Sequence, residues 1–496
     1  MNRLESMEQV TRRSLDWLAC FVVAALVTLS LIYIRSTDIV GPNFEIGTKW
    51  LWQAVWAALG TALLLSARSI DYRLLGPALF ALYAVCVGLL LYVYFCGPVI
   101  NGARRWLLLC GVISVQPAGP ARFVTLLTFC YWISPKCPFE LPKLLHRAIA
   151  YAILFTPAFL IAIEPAGGNA LTLVLAGFVI ELVHRAPTSV VRRILIYAGL
   201  GFALAQVELS WVRGRHIDPE IVREAYDWWF YGHQTNRVTW FLSEAGCWNG
   251  KQSVLSIMSG GLTGKGLGQG FLQALGYLPR GVSSSDFIFA VVGEESGFVG
   301  CAVVLCLYGT LITLGYAIAA RARDPFGRLA ATGITTIFAL HTLVNLLMVV
   351  RMCPIIGLPL PFLSKGGTFL AMSMLGMGVL ASVHRQSVKA ELANAGEREA
   401  APSPPEGVHQ AVLTCGPFLR VFVEFTQSGL DECAEVLEAR AAAHAAGLLF
   451  PLGPPDDPPP SGQRKTRRRR RRPPTSRQAA PQREFPNFPV PVGEAD

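Results

Sequence analysis

Charge is scarce in this chain. Of 496 residues only 15% are Asp, Glu, Lys or Arg, against 52% hydrophobic, with a mean hydropathy of +0.43. That excludes an ordinary soluble domain, in which about a quarter of residues are charged. The 12 cysteines include no Cys-x-x-Cys pair, so a zinc ribbon or thioredoxin-like site has no ligands. Most of them, Cys20, Cys86, Cys130, Cys301 and Cys306 among them, sit in apolar stretches as small buried hydrophobes. The first apolar run lacks a small-residue cleavage site after it, which favours a retained helix over a signal peptide. A nucleic-acid partner is also excluded, despite Arg464, Lys465 and the run Arg467 to Arg472. Residues 385–496 hold 15 Lys+Arg against 14 Asp+Glu, a net +1, so the first 384 residues carry 28 − 19 = +9 of the formal +10.

Long apolar runs are what the chain does have. A spanning helix needs about 20 mostly apolar residues, and ten candidates lie near 17–34, 50–67, 74–95, 119–134, 148–163, 170–183, 194–207, 298–319, 329–349 and 368–384. With the N-terminus in the cytoplasm, Arg68 and Arg73, then Lys136, Lys143 and Arg147, then Arg185, Arg192 and Arg193, then Arg321, Arg323 and Arg328 all fall on the cytoplasmic side. These short, basic loops obey the positive-inside rule. The expected fold is therefore an all-α polytopic membrane protein with about ten transmembrane helices and both termini cytoplasmic. Its divisions are a cytoplasmic N-terminus at 1–16, a transmembrane domain at 17–385 and a largely disordered cytoplasmic tail at 386–496. The tail holds a short amphipathic helix near 429–447, a proline cluster and the Arg-rich run 464–472. One long extracytoplasmic loop, 208–286, balances seven basic residues with seven acidic ones. It also holds Trp211, Trp228, Trp229, Trp240 and Trp248, whose plainer reading is an interfacial belt.

Four segments are too polar or glycine-rich for their membrane setting, and all four fall on the outer side. Asn101 to Trp106, followed by Gln116-Pro117, places Arg104 and Arg105 beside the Trp106 indole. Guanidinium forks and an interfacial indole suit a phosphorylated lipid headgroup, although arginines at helix ends also snorkel to the interface. Ser259 to Gly270 looks like a phosphate loop, but Gly266 follows Gly264-Lys265 where a Walker motif needs Ser or Thr. What remains is a backbone-rich turn with one lysine, able to approach a pyrophosphate closely. Ser285 to Gly297 embeds Asp286, Glu294 and Glu295 in apolar sequence, and ionisable residues there default to a functional reading. Asp286 sits at the mouth of the loop as the candidate catalytic carboxylate, while Glu294 and Glu295 lie deeper, in supporting or ion-paired positions. Pro354 to Thr368 cannot be a regular helix, and irregular backbone at membrane depth must line a cavity or be buried; Ser364, Gly366 and Gly367 are its candidate supporting residues.

In this order and spacing, the four segments together with Asn345 resemble the SEDS (shape, elongation, division and sporulation) family over nearly all of 15–385. The resemblance implies a ten-helix peptidoglycan glycosyltransferase of the bacterial inner membrane that polymerises lipid II at the outer face. It also implies a class B penicillin-binding protein as transpeptidase partner, in company with elongation-complex membrane proteins. Pro359 to Phe362 and Leu275 to Arg280 are spelled more like RodA than FtsW, which points to cell elongation and shape over division. Some family positions depart. Gly119 stands where the family usually has Glu, Arg122 where it has Lys, Ala166 where it has Asp with Glu164 close by, Arg351 where it has Gly, and Lys365 where it has Tyr.

Under that resemblance Asp286 accepts the proton of the attacking sugar hydroxyl, and Arg104, Arg105, Lys265 and Arg122 stabilise the departing undecaprenyl pyrophosphate. No ligand cluster demands a metal, although magnesium or manganese is compatible with a pyrophosphate substrate. Three rivals stand beside this reading: an FtsW-like division polymerase, a flippase for lipid-linked precursor, and a catalytically weak scaffold for a transpeptidase.

Overall fold

A computed structural model describes residues 14–40, 45–100, 103–109, 113–139, 141–164, 166–185, 241, 248–270, 277, 280–400, 408–415 and 419–426. In chain order its helices are α1 (Leu15–Thr37), α2 (Lys49–Ser69), α3 (Leu75–Cys96), α4 (Ala118–Ile133), α5 (Lys143–Ile163), α6 (Gly167–Arg185), α7 (Trp248–Ser259), the single turn α8 (Arg280–Ser283), α9 (Ile288–Arg321), α10 (Pro325–Val349) and α11 (Gly367–Ala400). Every expected span except 194–207, which lies outside the described residues, coincides with a helix. Eight described helices are long and apolar enough to cross a membrane; α4, at 16 residues, misses on length.

Short antiparallel ladders join the helices: β1 (Ile39–Val40) with β2 (Glu45–Ile46), β3 (Val99–Ile100) with β4 (Ala103–Arg104), and β5 (Leu107–Leu109) with β6 (Ile113–Val115). The class is helical, with these turns added. The chain divides into two units, 1–400 and 401–496. The boundary expected at 385 falls inside α11, which runs on to Ala400. In the second unit β7 (Val408–Cys415) pairs with β8 (Leu419–Thr426). The amphipathic helix expected near 429–447, the run 464–472 and the tryptophans at 211, 228, 229 and 240 lie outside the described residues.

Lipid tails are as apolar as leucine, so close packing rather than exclusion from water holds such helices together. Small residues permit it. A Cβ at Gly333 of α10 would lie 2.5 Å from Leu126 of α4 and 2.8 Å from Ile180 of α6, and one at Gly60 of α2 would lie 2.9 Å from Met374 of α11. Around α10 and α11 the side chains Leu329, Ala330, Ile334, Met377 and Leu380 are buried, while Trp52, Val55, Val85 and Phe95 on α2 and α3 face outward.

Ion pairs lock one end of the bundle. Asp16 of α1 pairs with Arg68 of α2 at 2.8 Å, with His384 of α11 3.9 Å away. Asp324 caps α10 by accepting from Gly327 N, takes the Tyr72 hydroxyl at 3.0 Å and pairs with Lys136 at 2.7 Å. Proline at the first helical position and Asp before it form a favourable helix start.

Candidate functional site

Asp286 lies at the other end, in the turn leading into α9. Phe287 N bonds Val282 O at 3.1 Å, and α9 begins at Ile288. The turn is fastened to the proline-rich segment after α10 by three residues. Asn345, at the end of α10 and fully buried, donates Nδ2 to Asp286 O at 2.8 Å and to Leu358 O at 2.7 Å. Ser364 Oγ donates to Ser285 O at 2.5 Å and accepts from Leu360 N at 2.8 Å. Lys365 N donates to Ser284 O at 2.9 Å. The half-buried Asp286 carboxylate lies over Gly357, whose φ is +73°; a Cβ there would sit 3.5 Å from Oδ2.

The same segment is braced from behind. Gln53 of α2, buried, donates to Ser364 O at 3.3 Å and accepts from Gly366 N at 3.3 Å. Gly367 lies against the Trp56 ring, where any Cβ would collide. Phe362 adopts φ +65° in the buried interior, its ring edge-on to Phe338 at 5.1 Å. Of the expected supporting residues, Ser364 therefore holds the Asp286 turn directly, while Gly366 and Gly367 anchor the same segment to α2.

Arg122 is 1% exposed. Its Nη1 meets Asn169 Oδ1 at 2.7 Å and also His341 Nε2, and Nε has no partner. Because guanidinium only donates, His341 must accept at Nε2 and carry its proton on Nδ1, which faces Pro359 O at 3.4 Å. The structure thus places Arg122 inside the bundle, supporting the proline-rich segment, and not on an open groove.

Lys265 and the two glutamates form a separate cluster. Helix α9 breaks at Gly297 (φ +63°, ψ −157°), and the glycine-rich turn fills the break: Lys265 N bonds Glu294 O at 3.0 Å, Gly266 N bonds Glu295 O at 2.9 Å, and Phe298 N bonds Gly261 O at 2.9 Å. Lys265 Nζ pairs with Glu294 at 2.8 Å, while Glu295 accepts from Ser36 of α1. The lysine expected at a pyrophosphate is thus matched by a carboxylate.

Arg104 is exposed, with Nη1 on Phe95 O at 3.0 Å, and Arg105 and Trp106 are half-buried. Glu164 closes α5, 2% exposed, and among the described residues neither of its oxygens has a hydrogen-bond partner. Burial pushes its carboxyl up to about 8, and the Arg105 charge pulls it part of the way back. At Gly168, the start of α6 abuts Ile356 and Leu358, which brings this region to the Asp286 end.

Sequence reasoning missed Gln53, Asn169 and His341. Their signal was available: each is a polar side chain within an apolar helix. Lys365 was seen only as a departure. It is half-buried, and burial and the neighbouring Lys49 push its amine below the usual value, against the pull of Asp38. Among the described residues no group of three His, Cys, Asp or Glu side chains is placed to hold a metal.

The site can thus present one fixed carboxylate at the mouth of a bundle, with arginines and a lysine nearby for an anionic lipid. Comparison with known proteins gives the chain its family. Residues 16–389 match the FtsW/RodA/SpoVE family of cell cycle proteins. The chain is 33% identical over 378 residues to peptidoglycan glycosyltransferase MrdB of Escherichia coli, covering 75% of this chain and 93% of that one. It is 27% identical over 433 residues to peptidoglycan glycosyltransferase RodA of Treponema pallidum, covering 75% and 98%. Among solved structures, the rod shape determining protein RodA of Thermus thermophilus aligns at 26% identity and a TM-score of 0.51, covering 75% of this chain and 97% of that one. A chain of a peptidoglycan synthase complex, in which polymerization and crosslinking are structurally coordinated, shares the fold at 24% identity and a TM-score of 0.57, covering 75% and 98%.

Proposed function

The chain belongs to the FtsW/RodA/SpoVE family, and from that premise we propose that it is a peptidoglycan glycosyltransferase polymerising lipid II at the outer face of the cytoplasmic membrane, in cell elongation. The observation that carries this reading is the fastening of Asp286 by Asn345 and Ser364 at the end of the bundle opposite the basic loops. The positive-inside rule, applied to those loops, supports a cytoplasmic position for the end that carries them and for both termini.

In the reaction, the attacking sugar hydroxyl of one substrate gives its proton to Asp286 as its oxygen bonds the anomeric carbon of the other. The bond from that carbon to the diphosphate oxygen breaks, and undecaprenyl pyrophosphate leaves with the electron pair. Arg104, Arg105 and Lys365 are the cations suited to the departing charge. Lys265 is held by Glu294 and Arg122 by Asn169 and His341, so these two shape the site from behind. Magnesium or manganese is compatible with a diphosphate substrate and would neutralise part of its charge. A class B penicillin-binding protein and elongation-complex membrane proteins are the partners this role requires, and the fold shared with a synthase complex chain supports the first.

The test is turnover of purified lipid II by the full chain in detergent or nanodiscs, alone and with its transpeptidase. Glycan strands and released undecaprenyl pyrophosphate are expected. Binding without polymer in both settings would leave a scaffold, and lipid movement without polymer in a flip assay would make the chain a transporter.

A further inference from the structure

A cavity of about 170 Å³ opens at the end of the bundle remote from Asp286, between the close of α4, the start of α5 and the close of α6. Helix α6 begins against the proline-rich segment and is 19 residues long, so its far end lies about 28 Å away. The cavity is lined by Lys143 and Arg147 of α5 and Arg185 of α6, with Glu181 the one carboxylate among the described lining residues. Glu181 is committed already: it pairs with Arg185 at 2.8 Å and accepts from the Tyr151 hydroxyl at 2.7 Å. Among the described residues, Lys143 and Arg147 have no ion-pair partner.

Three cations thus line one cavity. Lys143 and Arg147 lie in the first turns of α5, where the helix dipole is itself positive, and Pro142 before them supplies no side-chain cap. A bound anion relieves both the repulsion and the uncapped amides. Beside the cations the surface turns apolar. Leu144 is 82% and Phe139 52% exposed, as side chains facing lipid are. Behind that surface the buried Trp132 stacks on Phe139 and His146 and donates Nε1 to His146 O at 2.9 Å, which fixes the start of α5.

We propose that this cavity holds the phosphate headgroup of an anionic phospholipid of the adjoining leaflet, with its acyl chains along Leu144 and Phe139. The full chain, purified in neutral detergent, is to be titrated with phosphatidylglycerol and, separately, phosphatidylcholine, and followed by native mass spectrometry. Wild type should retain phosphatidylglycerol preferentially and keep it when inorganic phosphate is in excess. The double change Lys143→Gln, Arg147→Gln should weaken that binding roughly thirtyfold, as expected for two cations near a lipid surface, and Lys143→Arg should preserve it. If the double variant does not fold, Lys143→Gln alone reports the same comparison with about a fivefold loss. Equal phosphatidylglycerol and phosphatidylcholine retention, displacement by inorganic phosphate, or unchanged binding in the glutamine variants would each overturn the proposal.

Discussion

Asn345 carries two hydrogen bonds on one amide nitrogen, and both end on backbone oxygens that set where Asp286 stands. Asn345→Ala leaves those carbonyls without their donor and frees the turn to shift. A displacement near 1 Å costs roughly a hundredfold in rate. The expected result from initial-rate kinetics is a fall of that size in kcat with the KM for lipid II little changed; a raised KM at unchanged kcat would assign Asn345 to substrate binding instead. Glu164 supplies a pH signature. Its carboxyl moves from an ordinary 4.5 to about 8 on folding, so the folded chain holds the proton more tightly than the unfolded one. The stability it contributes is full below 4.5 and is lost as pH rises through 8. Thermal midpoints in nanodiscs should therefore decline over that window in wild type and less steeply in Glu164→Gln; parallel profiles would contradict the assignment. Arg351 shows what one departure from the family costs: it adopts φ +62°, a left-handed conformation in which glycine would be unstrained.

At the scale of elements, the broken helix α9 joins the glycine-rich turn to the site. The freed backbone groups around Gly297 are taken by residues 261–266, and a Cβ on Gly297 would strike Gly264 and Leu262. Gly297→Ala should lower stability by about 1–3 kcal/mol, the range for such strained backbone, seen as a lower thermal midpoint with weakened activity. An unchanged midpoint would mean that the break is not held as described. The sequence announced this element in part: it placed the span from 298 onward, and it read Ser259 to Gly270 as a close-approach turn. It did not foresee the carboxylate that lies against the turn. The partner of Lys265 is Glu294, 29 residues away, and which distant segment fills a helix break depends on packing that local patterning does not encode. The burial of Arg122 was not legible for the same reason, since it depends on α6 and α10 closing around it.

Over the whole molecule, hydrophobic periodicity and basic loops made the architecture legible, because a span needs apolar length and loop charge sets orientation. The ladders and the hairpin at 408–426 were not legible, being too short or too weakly patterned. The bundle separates two kinds of positive charge. Those on the short loops gather at one end, and Arg104, Arg105 and Lys365 lie at the end that holds Asp286. The central claim is that this one carboxylate performs the proton transfer of glycan synthesis. Its most direct test is lipid II polymerisation by purified wild type and Asp286→Ala, with lipid II binding measured on the same preparations. The account predicts that the variant binds lipid II as wild type does and makes no glycan strands; strands of normal yield from Asp286→Ala would contradict it.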